Sequence, residues 1–435
     1  MSIVRKSLLA AALVLVVIAT GITWLVGTES GTRWLLGRGS GYLPPELQLG
    51  DVQGSLLRGV SIASLDWDSQ ATRVQIGPTF VDIGLLPLFN RHLVINALDV
   101  ARVNVRMIEV DEPDSETGLP EVKLPLAISI ASSSVRQVSV ARGDMENTID
   151  AMTLIASFRN SNLRLSKLEI RSDWLDLDVN GQVMLADLYR GDIAVGWQWK
   201  DADAGPFAGQ LRITGDLREY TLNHSLAAPV TIATSGTVSY EKGSIAADLL
   251  NEWASLEWPL AQQTLYSSRG ALRVTGNTDT FSLELDANAR IDDQPEARIT
   301  LSGNANPESM RVLSFEAITP FAQFTANGDV RWLPGRSFDL DYKVAELDPA
   351  FVADSIVGTI GLEGSVTGVV DDDVPDIKLR IDRIEGEVNG HPVKGSGALE
   401  VAGTDLSLSA ARLEVGSNTI RVDGGLGGTA LAVEL

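Results

Sequence analysis

The sequence predicts an all-β protein, an elongated antiparallel β-sheet preceded by one transmembrane helix. Three observations lead to this prediction. Residues 7–26 form an uncharged, apolar run of the length that crosses a bilayer. From residue 47 onward apolar and polar residues alternate with period two, and the period of an amphipathic helix is not sustained. Turn residues such as Asn389-Gly390 separate the alternating runs.

Composition and charge exclude several classes of function. The chain has 435 residues, with 35 Lys and Arg against 57 Asp and Glu, which gives a formal net charge of −22. This charge excludes a nucleic-acid binder that relies on bulk positive charge. Because cysteine is absent, disulfides, thiolate metal sites and a cysteine nucleophile are excluded as well. With 44% hydrophobic residues, the chain can bury apolar surface and is not disordered by composition.

Residues 1–27 are predicted to form a cytoplasmic tip and a transmembrane anchor. No charged side chain lies between Lys6 and Glu29, and residues 7–26 supply about the twenty residues that a membrane-crossing helix needs. Arg5 and Lys6 precede this run, so the positive-inside rule predicts a cytoplasmic N-terminus and exports the rest of the chain. A cleaved signal peptide is the alternative, but the apolar run is longer than that of a typical signal peptide. The side chains expected to lie in the membrane are Leu8, Leu9, Leu13, Val14, Leu15, Val16, Val17, Ile18, Ile22, Trp24 and Leu25.

Residues 28–45 are predicted to form a juxtamembrane helix and a linker. Thr28 is a candidate N-cap for a short helix that contains Trp34 and Leu36. These two side chains could rest on the membrane surface. Glycines from Gly37 onward, followed by two prolines, are expected to end the helix.

Two β regions are expected, at residues 46–110 and 119–435, separated by an acidic, turn-rich break. Alternation is clearest at residues 281–291, where all odd-numbered residues are apolar and all even-numbered residues are polar. Such a strand has one dry face and one wet face. The dry face is compatible both with a second packed layer and with an open internal groove. The candidate groove residues are Val103, Val105, Leu124, Leu126, Ile128, Leu175, Leu177, Phe281, Leu283, Leu285, Leu340, Leu379 and Ile381.

The expected unit of this sheet is the antiparallel hairpin. Asn180-Gly181 and Asn327-Gly328 are interpreted as turns between strands. Parallel pairs would need helical crossovers, and no helical pattern of adequate length is present. About four hundred residues at ~11 to 13 per strand and turn give ~30 to 35 strands, which at ~4.8 Å spacing span roughly 150 Å. A weak sequence repeat supports a sheet built from repeated hairpins. Its two copies are Gly209 to Gly215 and Gly270 to Gly276.

The sequence offers few candidates for catalysis, and no enzyme, metal or cofactor is predicted. His92, His224 and His391 share no metal-ligand spacing, and each is interpreted as a surface or strand-edge histidine. The acidic run Asp371 to Asp373 lacks the ligand spacing of a known calcium loop and is interpreted as a solvated turn. The serine run Ser132 to Ser134 has no nucleophile elbow and no paired base.

Three segments carry a family resemblance. Residues 49–67, LGDVQGSLLRGVSIASLDW, follow the anchor as a strand, a Gly-Ser-Leu turn and a second strand. Residues 85–100 form a leucine-rich break and a strand, and residues 347–352 read LDPAFV. In these segments the chain resembles the N-terminal part of the TamB family, the inner-membrane subunits of the translocation and assembly module, within the AsmA-like group.

This resemblance implies a taco-shaped sheet whose concave side is a hydrophobic groove. It further implies phospholipid transport across the periplasm from the inner membrane toward the outer membrane, in support of outer-membrane protein assembly and secretion. The implied partners are phospholipids, the inner membrane and a TamA-like outer-membrane β-barrel that binds a C-terminal domain. Because the alternation continues to Leu435, we expect the sequence to be a fragment without that domain. The alternative is a scaffold that presents β-strands to outer-membrane proteins without conducting lipid.

Overall fold

The chain divides into two compact units, Met1–Tyr220 and Thr221–Leu435. The division falls inside the strand Glu219–Ala228, where the alternation of the sequence is not interrupted, so the sequence did not indicate it. The computed structural model describes residues 23–39, 46–69, 72–107, 121–143, 145–200, 205–241, 243–259, 264–292, 294–351, 355–371, 374–403, 405–426 and 432–434.

Helices are few in the described residues. Residues 23–27 are helical, and helix α1 follows at Glu29–Gly39. The Thr28 hydroxyl accepts a hydrogen bond of 3.2 Å from the Gly31 amide, which confirms the predicted N-cap. Two 3₁₀ helices lie at Leu86–Asn90 and Pro349–Phe351. None of the described helices has the length and apolar character to cross a membrane, and residues 7–22 of the predicted span lie outside the described residues.

Helix α1 is held against the first hairpin of the chain. The Thr32 side chain is completely buried, and its hydroxyl accepts a hydrogen bond of 3.2 Å from the Leu56 amide. The Arg33 guanidinium donates to the Val52 carbonyl at 2.8 Å, and the Leu57 amide donates to the Val26 carbonyl at 3.0 Å. These bonds join the helical segment to the turn at residues 56–58.

We expect Thr32→Val to loosen this attachment. Valine has nearly the same shape but cannot accept a hydrogen bond, so the Leu56 amide is left buried without an acceptor, at a cost of about 1–3 kcal/mol. Hydrogen exchange of the Leu56 amide should accelerate accordingly. The matched control is Thr359→Val at an exposed position, which should change the free energy of unfolding by less than about 0.5 kcal/mol. Unchanged exchange at Leu56 would contradict the assigned role of Thr32.

The first unit contains fifteen complete strands among its described residues. Their bounds are β1 Leu47–Leu49, β2 Val52–Ser55, β3 Gly59–Ile62, β4 Leu65–Asp68, β5 Thr72–Ile76, β6 Thr79–Gly84, β7 His92–Val100, β8 Val103–Met107, β9 Ala127–Ile130, β10 Ser133–Arg142, β11 Met145–Arg159, β12 Asn162–Arg171, β13 Leu175–Met184, β14 Gly191–Trp199 and β15 Phe207–Asp216. From β10 to β15 each strand pairs antiparallel with the next, as predicted. β16 is the strand Glu219–Ala228.

The exclusively antiparallel prediction is wrong for the strands before β11. β7 pairs parallel with β9 and with β10, and β8 pairs parallel with β10. A parallel pair needs a connection of a dozen or more residues to bring the chain back to its starting edge. Residues 108–126, between β8 and β9, supply that length.

The second unit is a succession of antiparallel hairpins. Each strand from β17 to β29 pairs antiparallel with the next. The bounds are β17 Thr231–Glu241, β18 Ser244–Trp258, β19 Leu265–Asn277, β20 Phe281–Ile291, β21 Ala297–Ala305, β22 Ser309–Ile318, β23 Gln323–Arg331, β24 Arg336–Leu347, β25 Gly358–Asp371, β26 Val374–Val388, β27 His391–Ala402, β28 Asp405–Val415, β29 Asn418–Leu426 and β30 Ala432–Glu434.

Two of the predicted turns lie inside strands. Gly181 is in β13 and Gly328 is in β23, with φ of 147° and 143°. A Cβ atom on Gly328 would lie 2.1 Å from the Asp339 carbonyl oxygen of the neighbouring strand. These glycines are therefore required by backbone conformation and close strand approach rather than by chain reversal. Asn389-Gly390, in contrast, is a true turn between β26 and β27.

Candidate functional site

The candidate site in the second unit is one face of its hairpins. Residues directly opposite each other in an antiparallel pair point to the same side of the sheet. Leu283 lies opposite Val274 on one side and Gly303 on the other, and Leu340 lies opposite Val366. We call the resulting set the second apolar face. It comprises Leu249, Leu272, Val274, Phe281, Leu283, Leu285, Leu301, Val312, Phe315, Leu340, Val344, Leu362, Val366, Leu379, Ile381, Ile384, Leu399, Leu408 and Leu413.

Most of the second apolar face is only half-buried. The fully buried hydrophobic residues of this unit are small or β-branched: Ala287, Ala289, Ala305, Val312 and Val393. No leucine of the described chain is buried. A core between two packed layers excludes water from most of its large side chains, so the described residues do not form such a second layer over these leucines.

Three aromatic side chains widen the apolar surface between β22 and β24. The rings of Phe315 and Phe324 meet edge to face with centroids 5.8 Å apart, and Phe324 stacks on Tyr342 at 6.3 Å. The Tyr342 hydroxyl donates to the Arg380 carbonyl at 3.2 Å, and burial raises the pKa of its phenol. The polar end of the ring is therefore satisfied by backbone, and the ring itself adds to the apolar face.

Large rings also cover glycines of neighbouring strands. Trp253 lies opposite Gly270, and a Cβ atom on this glycine would meet the indole ring at 2.1 Å. The indole Nε1 donates to the Ser267 hydroxyl at 2.8 Å. Phe338 covers Gly368 in the same way. In each pair the aromatic ring shields backbone that a glycine leaves bare.

The opposite face of the second unit is polar and carries ion pairs between strands. Arg273 contacts Asp248 at 2.6 Å, and its hydrogen bond lowers the pKa of the Asp248 carboxyl. Arg298 pairs with Asp286 at 2.9 Å. All these groups are exposed, so we assign them to solvation and strand register rather than to chemistry. The two sides of this unit thus differ sharply in polarity.

The first unit has an apolar face of its own. Across β11 to β15 the opposed residues are Leu154, Leu168, Val179, Val195 and Leu211. Farther toward β8, the buried Val100, Val135 and Val138 form a small core against which Ile76, Leu98, Val103, Val140, Ile149 and Met152 pack.

The structure places most of the predicted groove residues on these two faces. In the first unit Val103 and Val105 lie opposite Ile76 and Val74, Ile128 lies opposite Phe158, and Leu175 and Leu177 lie opposite Trp199 and Trp197. In the second unit Phe281, Leu283, Leu285, Leu340, Leu379 and Ile381 are members of the second apolar face. That these residues line a lipid groove stays a prediction.

Leu124 and Leu126 are exceptions, because they precede β9 instead of lying in it. β9 begins only at Ala127, although the alternation of apolar and polar residues starts at Val122. Pro125 separates the two leucines and has no amide hydrogen to donate to a sheet ladder. Leu124 is accordingly 44% exposed.

Two histidines interpreted from the sequence as surface or strand-edge residues are half-buried. His224 alternates with Leu222 and Leu226 along β16, is half-buried, and has a pKa lowered by burial. His92 is also half-buried, with Nε2 2.8 Å from the Ser129 hydroxyl. The alternation around residue 224 was visible in the sequence and could have placed His224 among apolar neighbours.

The chain matches a known protein family along nearly its whole length. The family model described as TamB, N-terminal domain, matches residues 17–118 and 117–435. The chain belongs to the TamB family. TamB proteins are transport and assembly components rather than known enzymes. The TamB family is anchored in the inner membrane with its bulk in the periplasm, and it functions with TamA of the outer membrane. No solved structure matches the chain.

Proposed function

We propose that the apolar faces of this TamB-family chain bind phospholipid acyl chains and carry phospholipids across the periplasm toward the outer membrane. The observation that carries this proposal is the second apolar face, where leucines recur on successive strands and stay half-buried. From β24 to β28, directly opposed neighbours on this face are Leu340, Val366, Leu379, Leu399 and Leu408. This transport supports the assembly and secretion of outer-membrane proteins together with a TamA-like β-barrel partner.

The energetics of such a surface require no catalytic residue. Each methylene group removed from water contributes about 0.8 kcal/mol, so a row of leucines several strands long stabilises an acyl chain without specific polar contacts. Because the same surface continues from strand to strand, a bound chain can move sideways while exchanging one set of apolar contacts for an equivalent set. The headgroup would remain at the wet rim. Curling of the sheet into a groove would enclose the acyl chains further.

Photocrosslinking in cells tests the proposal with the full chain. A benzophenone amino acid is placed at Leu283 or Leu379, on the second apolar face, and the purified protein is analysed by mass spectrometry for phospholipid adducts. The matched controls are Glu284 and Lys378, which neighbour these positions in sequence but point to the polar side. We expect adducts at the two leucines and at least about tenfold less at the two controls.

Two outcomes would refute lipid binding. Equal adduct levels at the two leucines and at the two controls would show that crosslinking to lipid does not depend on the face of the sheet. Adducts to unfolded outer-membrane proteins in place of lipid would support the strand-presenting scaffold instead.

A further inference from the structure

We propose that one edge of the first unit docks on the surface of a phospholipid bilayer. This edge, called here the loop edge, consists of the turn Leu56–Arg58, the segment Leu86–Arg91 that contains the 3₁₀ helix, and residues 121–126. The proposal concerns where the protein touches a membrane, and it stands whether or not the apolar faces conduct lipid.

The pairing register brings these three segments to the same edge. β3 and β6 are antiparallel with Val60 opposite Val81, so the turn before β3 and the segment after β6 lie at the same end. β7 and β9 are parallel, with His92 opposite Ala127. The segments that precede these two strands therefore also share an end, and the Ala127 amide donates to the Arg91 carbonyl at 2.9 Å.

The loop edge exposes several large apolar side chains. Phe89 is 87% exposed, Leu86 80% and Leu57 61%. Leu88 and Leu124 are exposed by 41% and 44%. A single exposed leucine is ordinary, but several from three separate segments at one edge indicate an interaction surface. Leu124 precedes β9, and its place in this edge accounts for its exposure.

The loop edge is net positive, because Arg58, Arg91 and Lys123 outnumber its acidic residue Glu121, which pairs with Lys123 at 2.7 Å. No acidic residue occurs between Asp82 and Asp99, although the chain has a net charge of −22. Arg58 and Arg91 are exposed, and within the described residues neither has an acidic partner. Apolar side chains flanked by arginines suit the boundary between acyl chains and anionic headgroups.

The position of the loop edge in the chain favours a bilayer over a protein partner. The Leu57 amide is bonded to the Val26 carbonyl, so this turn touches the end of the apolar N-terminal run. Trp24 and Trp34, in the adjoining helical segments, are 46% and 53% exposed. Indole rings of this kind are favoured at the membrane interface. The edge therefore lies beside the part of the chain that its sequence assigns to a membrane.

Site-specific fluorescence tests the proposal directly, because the chain has no cysteine. The full chain carrying Phe89→Cys or Leu57→Cys is labelled with an environment-sensitive nitrobenzoxadiazole probe. It is then reconstituted in vesicles of phosphatidylethanolamine and phosphatidylglycerol, with and without a lipid that bears a doxyl quencher near the headgroup. Leu313→Cys is the matched control, since Leu313 is 53% exposed on β22 of the second unit.

We expect quenching of about half at positions 57 and 89, with a blue-shifted emission, and little quenching at 313. Adding Arg58→Glu and Arg91→Glu should reduce the quenching at position 89 at least twofold, because both changes repel anionic headgroups. No quenching at 57 and 89 in vesicle-incorporated protein would overturn the proposal, as would equal quenching at 313. Photocrosslinking at Leu283 is independent of this result, so the two proposals can fail separately.

Discussion

A chain that carries Leu283→Asp together with Leu285→Asp is expected to yield at least about tenfold fewer phospholipid adducts at Leu379 than the parent. The two leucines sit next to each other on the second apolar face, opposite Val274 and Leu272. Two carboxylates on this surface must be desolvated when an acyl chain binds over them. A desolvation free energy of only about 1.4 kcal/mol already lowers the affinity for the acyl chain tenfold. The measurement is benzophenone crosslinking from position 379 in cells, with adducts quantified by mass spectrometry.

The control places the same charges on the other side of the same strand. Ser282→Asp with Asn288→Asp adds two carboxylates to β20 on its polar face. This variant should retain parental adduct levels. Comparable thermal unfolding of both variants is required, because it separates loss of lipid from loss of fold. If both variants lose lipid equally, or if neither does, the assignment of lipid to the second apolar face is wrong.

The sequence predicts on which face of the sheet each strand residue lies, because period-two alternation depends only on neighbouring residues in the chain. In β20 the sequence alone places Leu283 and Leu285 on one side and Glu284 on the other, and the structure agrees. Long-range pairing was less predictable. The parallel partners of β7 and β8 are not the next strands along the chain, and no local pattern encodes such pairing.

Glycine and proline limited the prediction of strand bounds. Asn180-Gly181 has the composition of a hairpin turn, but the close approach of Ile193 and its neighbours across the strand pair explains the glycine inside β13. Pro125 lies in an alternating run that extends to Ile130, and it confines β9 to the residues after it. Period-two alternation predicts on which face of a strand each residue lies. Turn-forming residues alone do not predict where a strand ends.

The sequence does not decide whether the apolar faces are covered by a second packed layer or line an open groove, since leucines at every second position are compatible with both. The answer depends on what covers them, which is a property of tertiary structure. In the first unit Val100, Val135 and Val138 are buried together, so a part of that face is a true core. In the second unit the leucines remain half-buried on strand after strand. Buried residues also occur in the second unit, but its continuous row of opposed, half-buried apolar residues from β24 to β28 is why we assign lipid binding chiefly to this unit.

Because the Trp253 ring lies directly over Gly270, Gly270→Val is expected to destabilise the second unit by roughly 2–3 kcal/mol. A Cβ atom there would lie 2.1 Å from the Trp253 ring, which must then leave its place. The indole would lose its hydrogen bond to Ser267, and the displaced ring would stand out from the face. Urea unfolding of the full chain in detergent, followed by tryptophan fluorescence, measures the change.

Two further variants separate displacement of the ring from a general effect of replacing glycine. Gly335→Ala changes a glycine whose added Cβ meets no atom within 4 Å, and it should alter the free energy of unfolding by less than about 0.5 kcal/mol. In a Trp253→Ala background the valine at position 270 no longer meets a ring, so its cost should fall by more than half. If the cost of Gly270→Val were the same with and without the indole, the ring would not be what requires the glycine. A reduced cost would instead show that the indole lying over position 270 is what requires the glycine.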